Sequence, residues 1–370
     1  MIKVMTIFGT RPEAIKMAPL VKELQRREET ECIVCVTAQH REMLDQVLTE
    51  FDITPDYDLN IMKQGQTLTL VTTRALEGLE GVIKECKPDI VLVHGDTSTT
   101  FAGALAAFYN QVKIGHVEAG LRTWDKYSPY PEEMNRQMVG VMADMHFSPT
   151  ETSRQNLLNE GKKDSTIFVT GNTAIDALGT TVKADYKNDI FDVWGKDSRV
   201  ILLTSHRREN IGEPMENIFR AVNRIVEEYK DVKVVYPIHK NPVVREIANR
   251  VFGNNDRIKL IEPLEVFDFH NFQNRSYLIM TDSGGIQEEA PSMAKPVLVL
   301  RDTTERPEGV EAGTLKLAGV HEEDIYQMTK ELLDNKEAYS KMAHAANPYG
   351  DGHASERIVD EIVKEFNEKI

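Results

Sequence analysis

Four carboxylates in the first half of the chain stand where the catalytic groups of an α/β protein collect. Asp96 follows the apolar run IVLVHG and Glu118 follows VKIGHV, whereas Glu132 and Glu133 open a predicted helix after a long polar loop. Parallel strands end at one edge of a sheet, so Asp96 and Glu118 should lie together and the loop should return the other two acids to them. Clustered acids raise one another's pKa, which leaves one protonated beside another that is ionised. Such a set can remove and return a proton on opposite faces of a substrate, although an ordinary acidic first helical turn explains Glu132 and Glu133 equally well.

A second set of residues is suited to binding an anion such as a nucleoside diphosphate. The stretch GTRPEAIK places Arg11 and Lys16 near the start of a helix, where free backbone N–H groups favour negative charge. In SGGIQEE, bare backbone N–H groups can face phosphate oxygens, and a glutamate inside the helix can accept two ribose hydroxyls. The alternatives are solvated surface cations and acids that complement a helix dipole. The set comprises Arg11, Lys16, His206, Arg207, Ser283, Gly284, Gly285, Glu288, Glu289, Arg301 and Arg306.

Several cofactor sites are disfavoured by the motifs. The chain lacks the phosphate-binding pattern GxxxxGK[ST], and no GxGxxG follows the first strand, so we expect neither a P-loop nor NAD. No histidines have metal-ligand spacing, and we expect no metal. Cys32 and Cys35 form a CxxC inside a predicted strand, where an odd separation points the two thiols to opposite faces, so we interpret them as strand cysteines.

The composition limits the partners and the compartment. A formal net charge of −15 disfavours nucleic acid and acidic membrane surfaces. Three cysteines fit a reducing compartment, and the N-terminus lacks the features of a signal peptide. No apolar run approaches the roughly 20 residues that span a bilayer. We therefore expect a cytoplasmic protein without membrane insertion.

Short apolar runs alternate with amphipathic segments, which predicts an α/β fold with parallel sheets. We expect two doubly wound domains, residues 1–172 and 173–353, with a linker near 172–198 and two sheet edges that face a deep cleft. Helices are expected at 13–27, 67–86, 213–229, 322–335 and 354–369. The predicted strands are 3–8, 32–37, 89–94, 112–117, 145–149, 166–171, 199–205, 232–238, 257–263, 277–282 and 296–301.

With GTRPEAIKMAPL, HGDTSTT, HVEAGLRT, SPYPEEMNR, HRREN, DSGGIQEEAP, LRDTTERPEG and NPYGDGHAS in this order, the chain resembles the non-hydrolysing UDP-N-acetylglucosamine 2-epimerases. The motifs cover nearly the whole chain. That family is similar in fold to the GT-B glycosyltransferases, which have two Rossmann-like domains. The resemblance implies that the second domain binds UDP and that the C-terminal helix, within 354–370, packs back on the first.

The resemblance also implies a role for each matching residue. Asp96, Glu118 and Glu132 match the catalytic carboxylates, and Arg11 and His206 would offset charge on the leaving diphosphate. The UDP-sugar contacts would be Arg11, Lys16, Leu264, Phe269, Ser283, Gly284, Gly285, Glu289 and Arg306. An allosteric UDP-GlcNAc, which some members bind, would contact Gln39, Glu133, Arg207 and His239, although Glu42 and Gly65 depart from the expected Gln and Arg.

The reaction implied by the resemblance is the interconversion of UDP-GlcNAc and UDP-ManNAc through loss and return of UDP. It would pass through a 2-acetamidoglucal, without NAD or metal, and the sequence leaves open which carboxylate is the base. The resemblance further implies a homodimer and a role in cell-envelope polysaccharide synthesis. The alternatives are a GT-B glycosyltransferase that uses a UDP-sugar, a hydrolysing epimerase that releases ManNAc, and a UDP-sugar sensor without turnover.

Overall fold

The computed structural model describes residues 1–38, 41–63, 65–195 and 197–368. These residues form two compact units, one made of Met1–Gly179 with the segment that starts at Tyr349, and the other of Thr180–Pro348. Each unit has a parallel sheet with helices between successive strands. The predicted α/β class with two doubly wound, Rossmann-like halves is therefore confirmed.

The sheet of unit 1 follows from apolar runs that are buried on both faces. Ile90, Val91, Leu92 and Val93 have no exposed surface, as expected for a central parallel strand. All six strands predicted in this half are confirmed, whereas the two-residue strand at 57–58 was not predicted because it is short and half polar. Among the described residues the strands are β1 (Ile2–Phe8), β2 (Thr30–Val36), β3 (Tyr57–Asp58), β4 (Ile90–His94), β5 (Lys113–Val117), β6 (Met145–Ser148) and β7 (Ile167–Val169), in the spatial order β3-β2-β1-β4-β5-β6-β7.

Threonine caps start several helices of unit 1 directly after the strand ends. Thr10, Thr67, Thr97 and Thr150 each accept a hydrogen bond from the backbone N–H three residues later. Such a cap stabilises a helix by about 1 kcal/mol. The helices are α1 (Arg11–Arg26), α2 (Arg41–Glu50), α3 (Leu68–Cys86), α4 (Ser98–Tyr109), α5 (Glu132–Met142), α6 (Glu151–Asn159) and α7 (Thr173–Thr181).

Unit 2 repeats the same strand order in a second parallel sheet. The five strands predicted here are confirmed, and the edge strand at 315–317 was not predicted because it has only three residues. The strands are β8 (Arg199–Thr204), β9 (Val232–Pro237), β10 (Ile258–Ile261), β11 (Leu278–Thr281), β12 (Val297–Val299) and β13 (Leu315–Leu317), in the order β10-β9-β8-β11-β12-β13. The helices are α8 (Asp189–Trp194), α9 (Glu213–Glu228), α10 (Pro242–Phe252), α11 (Val266–Arg275), α12 (Gly284–Glu289), α13 (Pro307–Glu311), α14 (Glu322–Asp334) and α15 (Lys336–Ala343).

The last helix, α16 (Ala354–Asn367), belongs to unit 1. Asp176 of α7 accepts hydrogen bonds from the first N–H groups of α16, those of Ala354 at 3.1 Å and Ser355 at 2.6 Å. Unit 1 extends to Gly179 and so includes most of α7. From the sequence, residues from 173 onward were expected to belong to the second domain. Within the described ranges no helix combines the length and apolar content needed to cross a membrane.

The two cysteines of the CxxC lie in β2, as predicted. Cys35 is buried and Cys32 is half-buried, and both are free thiols. Burial raises the pKa of each thiol to about 12. Both therefore stay protonated and unreactive at neutral pH.

Candidate functional site

The candidate residues of each unit follow the strands at the point where the strand order reverses. In unit 1, β1 and β4 are neighbours, and Arg11 and Asp96 come shortly after them. In unit 2, β8 and β11 are neighbours, and His206 and Ser283 follow. Ligands of doubly wound sheets bind at such switch points, beyond the carboxyl ends of the strands.

The carboxylate of Glu118 is held from two sides in unit 1. Lys16 Nζ of α1 donates a hydrogen bond to Glu118 Oε1, and Asn172 Nδ2 lies 3.2 Å from the same oxygen. The side chain is only 9% exposed. Glu118 also has a φ of +62°, a left-handed conformation that is unusual for a residue with a side chain. Backbone strain of this kind collects at functional sites because it fixes one side-chain direction.

A buried histidine lies beside this carboxylate. His94 Nε2 is 3.7 Å from Glu118 Oε2, and within the described part of the chain this nitrogen has no hydrogen-bond partner. Burial lowers the pKa of His94 to about 4, although the neighbouring Glu118 acts in the opposite direction. His94 is therefore neutral at physiological pH, and Lys16 supplies the positive charge next to Glu118.

Asp96 is paired with an arginine that no sequence pattern indicated. Arg136 of α5 contacts Asp96 Oδ2 through Nη2 at 2.6 Å and Nε at 2.9 Å. The neighbouring Asn135 donates to the Asp96 backbone carbonyl at 2.8 Å. These contacts join the end of β4 to the first turns of α5, whose first residue is Glu132. The side chains of Glu132 and Arg136 are four residues apart and so share one helix face.

Glu132 and Glu133 differ sharply in their surroundings. Glu132 is half-buried, and its carboxylate makes no hydrogen bond or ion pair with any residue that the structure describes. Glu133 is fully buried and accepts hydrogen bonds from the backbone N–H groups of Thr123 at 3.0 Å and Trp124 at 3.2 Å. Burial favours a raised pKa for Glu133, but these bonds together with Gln137 and Arg136 lower it. Glu133 thus anchors the loop before α5, and its allosteric role stays a prediction.

A second buried carboxylate, Glu13, joins two loops of the site. Its Oε2 accepts from the backbone N–H groups of Gly9 at 3.1 Å and Thr10 at 2.8 Å. Its Oε1 accepts from the hydroxyls of Thr97 at 2.7 Å and Thr100 at 3.2 Å. Burial raises the pKa of Glu13, although these hydrogen bonds oppose the shift. Glu13 therefore fixes the loop that carries Arg11 against the loop that carries Asp96.

Removing the hydrogen bonds of Glu13, rather than its charge, should damage the protein. In Glu13→Gln the amide oxygen can still accept from the two N–H groups, and the amide nitrogen can donate to the two hydroxyl oxygens. We expect Glu13→Gln to change the free energy of unfolding by less than about 1 kcal/mol, and Glu13→Ala to lower it by about 2–4 kcal/mol, because buried donors lose their acceptor. Urea unfolding of both variants measures this. Equal losses would show that the negative charge is what matters.

In unit 2, the end of β8 presents a histidine and an arginine. The rings of His206 and His239 are stacked, with centroids 5.8 Å apart and planes 15° apart. Arg207 Nε donates to the backbone carbonyl of Asp282 at 3.0 Å, and its Nη1 lies 3.4 Å from Glu305. His206 is nearly half exposed and is thus accessible to a ligand.

The segment Ser283 to Gly285 begins α12, as the sequence predicted for a phosphate-binding turn. A Cβ at Gly284 would lie 3.9 Å from Arg306 Nη2, and one at Gly285 would lie 3.8 Å from Glu289 Oε1. The bare backbone here is therefore within reach of a cation and a carboxylate. Arg306 Nε in turn donates to the buried Glu288, which fixes the guanidinium beside this turn.

Glu289 is set up as an acceptor by two side chains of α11. Gln273 Nε2 donates to Glu289 Oε2 at 3.0 Å, and His270 Nε2 lies 3.5 Å from the same oxygen. The carboxylate is 18% exposed, so it can also accept from a ligand hydroxyl. Leu264 and Phe269, the predicted uracil contacts, are half-buried against the core of unit 2.

The two arginines of the loop after β12, Arg301 and Arg306, each have an acidic partner. Arg301 makes two hydrogen bonds to Glu305, at 2.7 and 3.0 Å. These bonds, with a smaller contribution from Arg207, lower the pKa of Glu305 to about 2. The loop after β12 therefore holds its arginines in place through ion pairs, without a large excess of positive charge.

Direct contacts join some of the predicted residues within each unit, such as Lys16 with Glu118 and His206 with His239. Gln39 lies outside the described residues. Arg11 is half-buried at the first position of α1, behind the Thr10 cap. The polar partners that the sequence did not single out are His94, Arg136, Asn172, Glu13, His270, Gln273 and Asp282. For Glu13 the signal was available, since Thr10 and Glu13 have the spacing of a capping box.

Comparison with known proteins supports one family. The family model for UDP-N-acetylglucosamine 2-epimerase matches residues 22–363. A UDP-N-acetylglucosamine 2-epimerase from Bacillus subtilis is 66% identical over 98% of this chain and 95% of its own length. A crystal structure of a Listeria monocytogenes protein is 62% identical with a TM-score of 0.96, over 99% of this chain and 97% of that one. The crystal structure of UDP-GlcNAc 2-epimerase from Neisseria meningitidis bound to UDP-GlcNAc is 50% identical with a TM-score of 0.85, over 98% of this chain and 100% of that one.

Proposed function

The chain belongs to the non-hydrolysing UDP-N-acetylglucosamine 2-epimerase family, and we propose that it interconverts UDP-GlcNAc and UDP-ManNAc by eliminating UDP and adding it back. The intermediate is a 2-acetamidoglucal. The C2–H bond of the sugar has no adjacent carbonyl to acidify it, so direct deprotonation is disfavoured. Departure of UDP builds positive charge at C1 and makes H2 acidic. Protonation of C2 on the other face, with return of UDP to C1, completes the inversion.

The arrangement around Glu118 carries this proposal. A strained, largely buried carboxylate is paired with Lys16 at the edge of the sheet where Asp96 also stands. We assign the removal and return of the proton to Asp96, Glu118 and Glu132 together. The Lys16 ammonium lies against Glu118 Oε1 and offsets the negative charge of this carboxylate.

Unit 2 is assigned the UDP moiety. The backbone N–H groups of Ser283 to Gly285 would face the diphosphate, and His206 and Arg306 would offset its charge as it leaves. Glu289 would accept from the ribose hydroxyls, because two neighbours already orient its carboxylate. A related protein with a bound UDP-GlcNAc supports this choice of ligand.

Incubation of the protein with UDP-GlcNAc in D₂O tests the proposal. The expected result is UDP-ManNAc with deuterium at C2 in both sugar nucleotides, because the proton at C2 exchanges with solvent in each turnover. The same mixture should form from UDP-ManNAc. NMR spectroscopy at C1 and C2 measures both the exchange and the ratio of epimers.

Other outcomes would point to the alternatives. Loss of the sugar only when an acceptor is present, without deuterium at C2, identifies a glycosyltransferase. Free ManNAc and UDP identify a hydrolysing epimerase. Binding without any turnover identifies a sensor.

The wider roles implied by the family resemblance are part of the same proposal. We propose a homodimer, which light scattering of the purified protein measures, and a supply of UDP-ManNAc for cell-envelope polysaccharide. Activation by a second UDP-GlcNAc at Gln39, Glu133, Arg207 and His239 stays a prediction, and a sigmoidal dependence of rate on UDP-GlcNAc concentration would support it.

A further inference from the structure

The carboxylate of Asp282 connects the loop after β11 to the loop after β8, at the switch point of unit 2. It follows β11, has no exposed surface, and directs Oδ2 at the loop after β8. This oxygen accepts from the backbone N–H groups of His206 and Arg207, both at 2.9 Å. It also accepts from Ser205 Oγ at 3.2 Å and Asn210 Nδ2 at 3.1 Å. One carboxylate oxygen thus has four donors and needs no more.

The other oxygen of Asp282 lies close to the His206 ring. Within the described part of the chain, Asp282 Oδ1 is buried without a hydrogen-bond partner, and His206 Nδ1 lies 3.3 Å away. A buried carboxylate oxygen that lacks a donor is destabilising. A rotation of the exposed His206 ring that turns an Nδ1–H toward Oδ1 would satisfy it. With the proton on Nδ1, the other ring nitrogen is a bare Nε2 on a side chain that is 45% exposed.

We propose that Asp282 is a positioning residue that selects the Nδ1–H tautomer of His206 and presents its Nε2 to the departing diphosphate. This inference rests on the proposed function, because the role of His206 at the diphosphate belongs to it. When the ring is protonated, one N–H faces Asp282 and the other faces a phosphate oxygen.

A different result is expected if Asp282 has only a structural role. If Asp282 only held the loop through Oδ2, the tautomer of His206 would be irrelevant to turnover. Asp282→Asn separates the two roles. The amide oxygen can replace Oδ2 and accept from the same four donors, which places the NH₂ group at the position of Oδ1. His206 Nδ1 must then accept a hydrogen bond, so the ring proton moves to Nε2.

The tautomer can be observed directly by ¹⁵N NMR of histidine-labelled protein, with His206→Gln used to assign the signals apart from the stacked His239. We expect Nδ1–H in the unaltered protein and Nε2–H in Asp282→Asn. The variant should lower kcat by about 10²- to 10⁴-fold, the scale seen when an amide forces a catalytic histidine into the wrong tautomer. KM should change by less than about threefold, because the loop and its backbone N–H groups stay in place.

Two controls keep the inference open to contradiction. Asp302→Asn makes the same change at an exposed aspartate after β12 and should leave kcat and the tautomer unaltered. In the His206→Gln background, Asp282→Asn should cost less than about threefold more, because Asp282 acts through His206. Full additivity of the two changes, or Nε2–H in the unaltered protein, would overturn the inference, and the latter result does not depend on the folding of Asp282→Asn.

The failure of the inference is distinguishable from that of the proposed function. If the unaltered protein introduces no deuterium at C2, the proposed function fails whatever the tautomer is. If it does introduce deuterium and Asp282→Asn keeps both its kcat and the Nδ1–H signal, only the inference fails.

Discussion

Glu132→Gln is expected to lower kcat by about 10²- to 10⁴-fold, the range that a positioned acid or base contributes. Its carboxylate makes no hydrogen bond or ion pair with the described residues, so the change should leave the free energy of unfolding within about 0.5 kcal/mol. Any loss of turnover then reports on chemistry rather than on folding. Steady-state kinetics with UDP-GlcNAc and deuterium incorporation at C2 are the measurements.

Glu118→Gln and Asp96→Asn should lower kcat over the same range but also perturb local ion pairs. Glu118→Gln leaves the Lys16 ammonium without its carboxylate, and Asp96→Asn does the same to Arg136. We therefore expect small losses of stability alongside the loss of turnover. Asp125→Asn changes an exposed aspartate in the loop between Glu118 and Glu132 and is the matched control. This variant should keep full activity. Near-normal turnover in all three carboxylate variants would refute the assignment.

The free energy of unfolding is expected to fall steeply as the pH drops from about 6.5 toward 4. Three buried histidines stand on adjacent strands of unit 1: His94 on β4, His116 on β5 and His146 on β6. His116 and His146 are direct partners across the sheet. Burial lowers the pKa of His94 to about 4, that of His116 to about 3 and that of His146 to about 4. Each is therefore neutral in the folded protein throughout the physiological range.

The sign of the effect follows from proton uptake. An unfolded histidine has a pKa of about 6.5, so between that pH and the folded pKa the unfolded chain binds more protons. The stabilisation is complete above about pH 6.5 and is lost as the pH falls toward the folded values. Each histidine contributes about 1.4 kcal/mol per pH unit to the slope in this window. The three together therefore give a slope that approaches about 4 kcal/mol per pH unit. Glu13 and Asp176, whose pKa values burial raises, oppose part of this slope.

His116→Gln tests the contribution of one of these three buried histidines. His116 Nε2 lies 2.7 Å from the Gly95 carbonyl, which can only accept, so this nitrogen donates and a glutamine amide can replace it. Urea unfolding at several pH values should give a slope lower by about 1.4 kcal/mol per pH unit. His344→Gln, at an exposed position, is the control. A slope that is unchanged in His116→Gln would rule out this cause of acid unfolding.

The order and type of the main elements could be read from the sequence. Continuous runs such as Ile90 to Val93 are buried on both faces of a parallel sheet, and this requirement leaves a local pattern that is visible without neighbours. Threonines followed by helical segments likewise start helices through contacts only three residues long. The short strands at 57–58 and 315–317 left no such pattern, because two or three residues carry no periodicity.

The carboxylates could be identified from the sequence, but their partners depended on the tertiary structure. The sequence placed Glu118 and Asp96 at strand ends. Its local pattern did not distinguish Glu132 from Glu133, and only the family resemblance assigned them different roles. The structure separated the latter pair, since Glu133 is buried under the loop while Glu132 is left without a partner among the described residues. Asp282 meets His206 only because β8 and β11, which are distant in sequence, lie side by side in the sheet. Arg136 meets Asp96 because the loop after β5 returns α5 to the end of β4. Strand order is set by packing of the whole chain, and no local pattern encodes it.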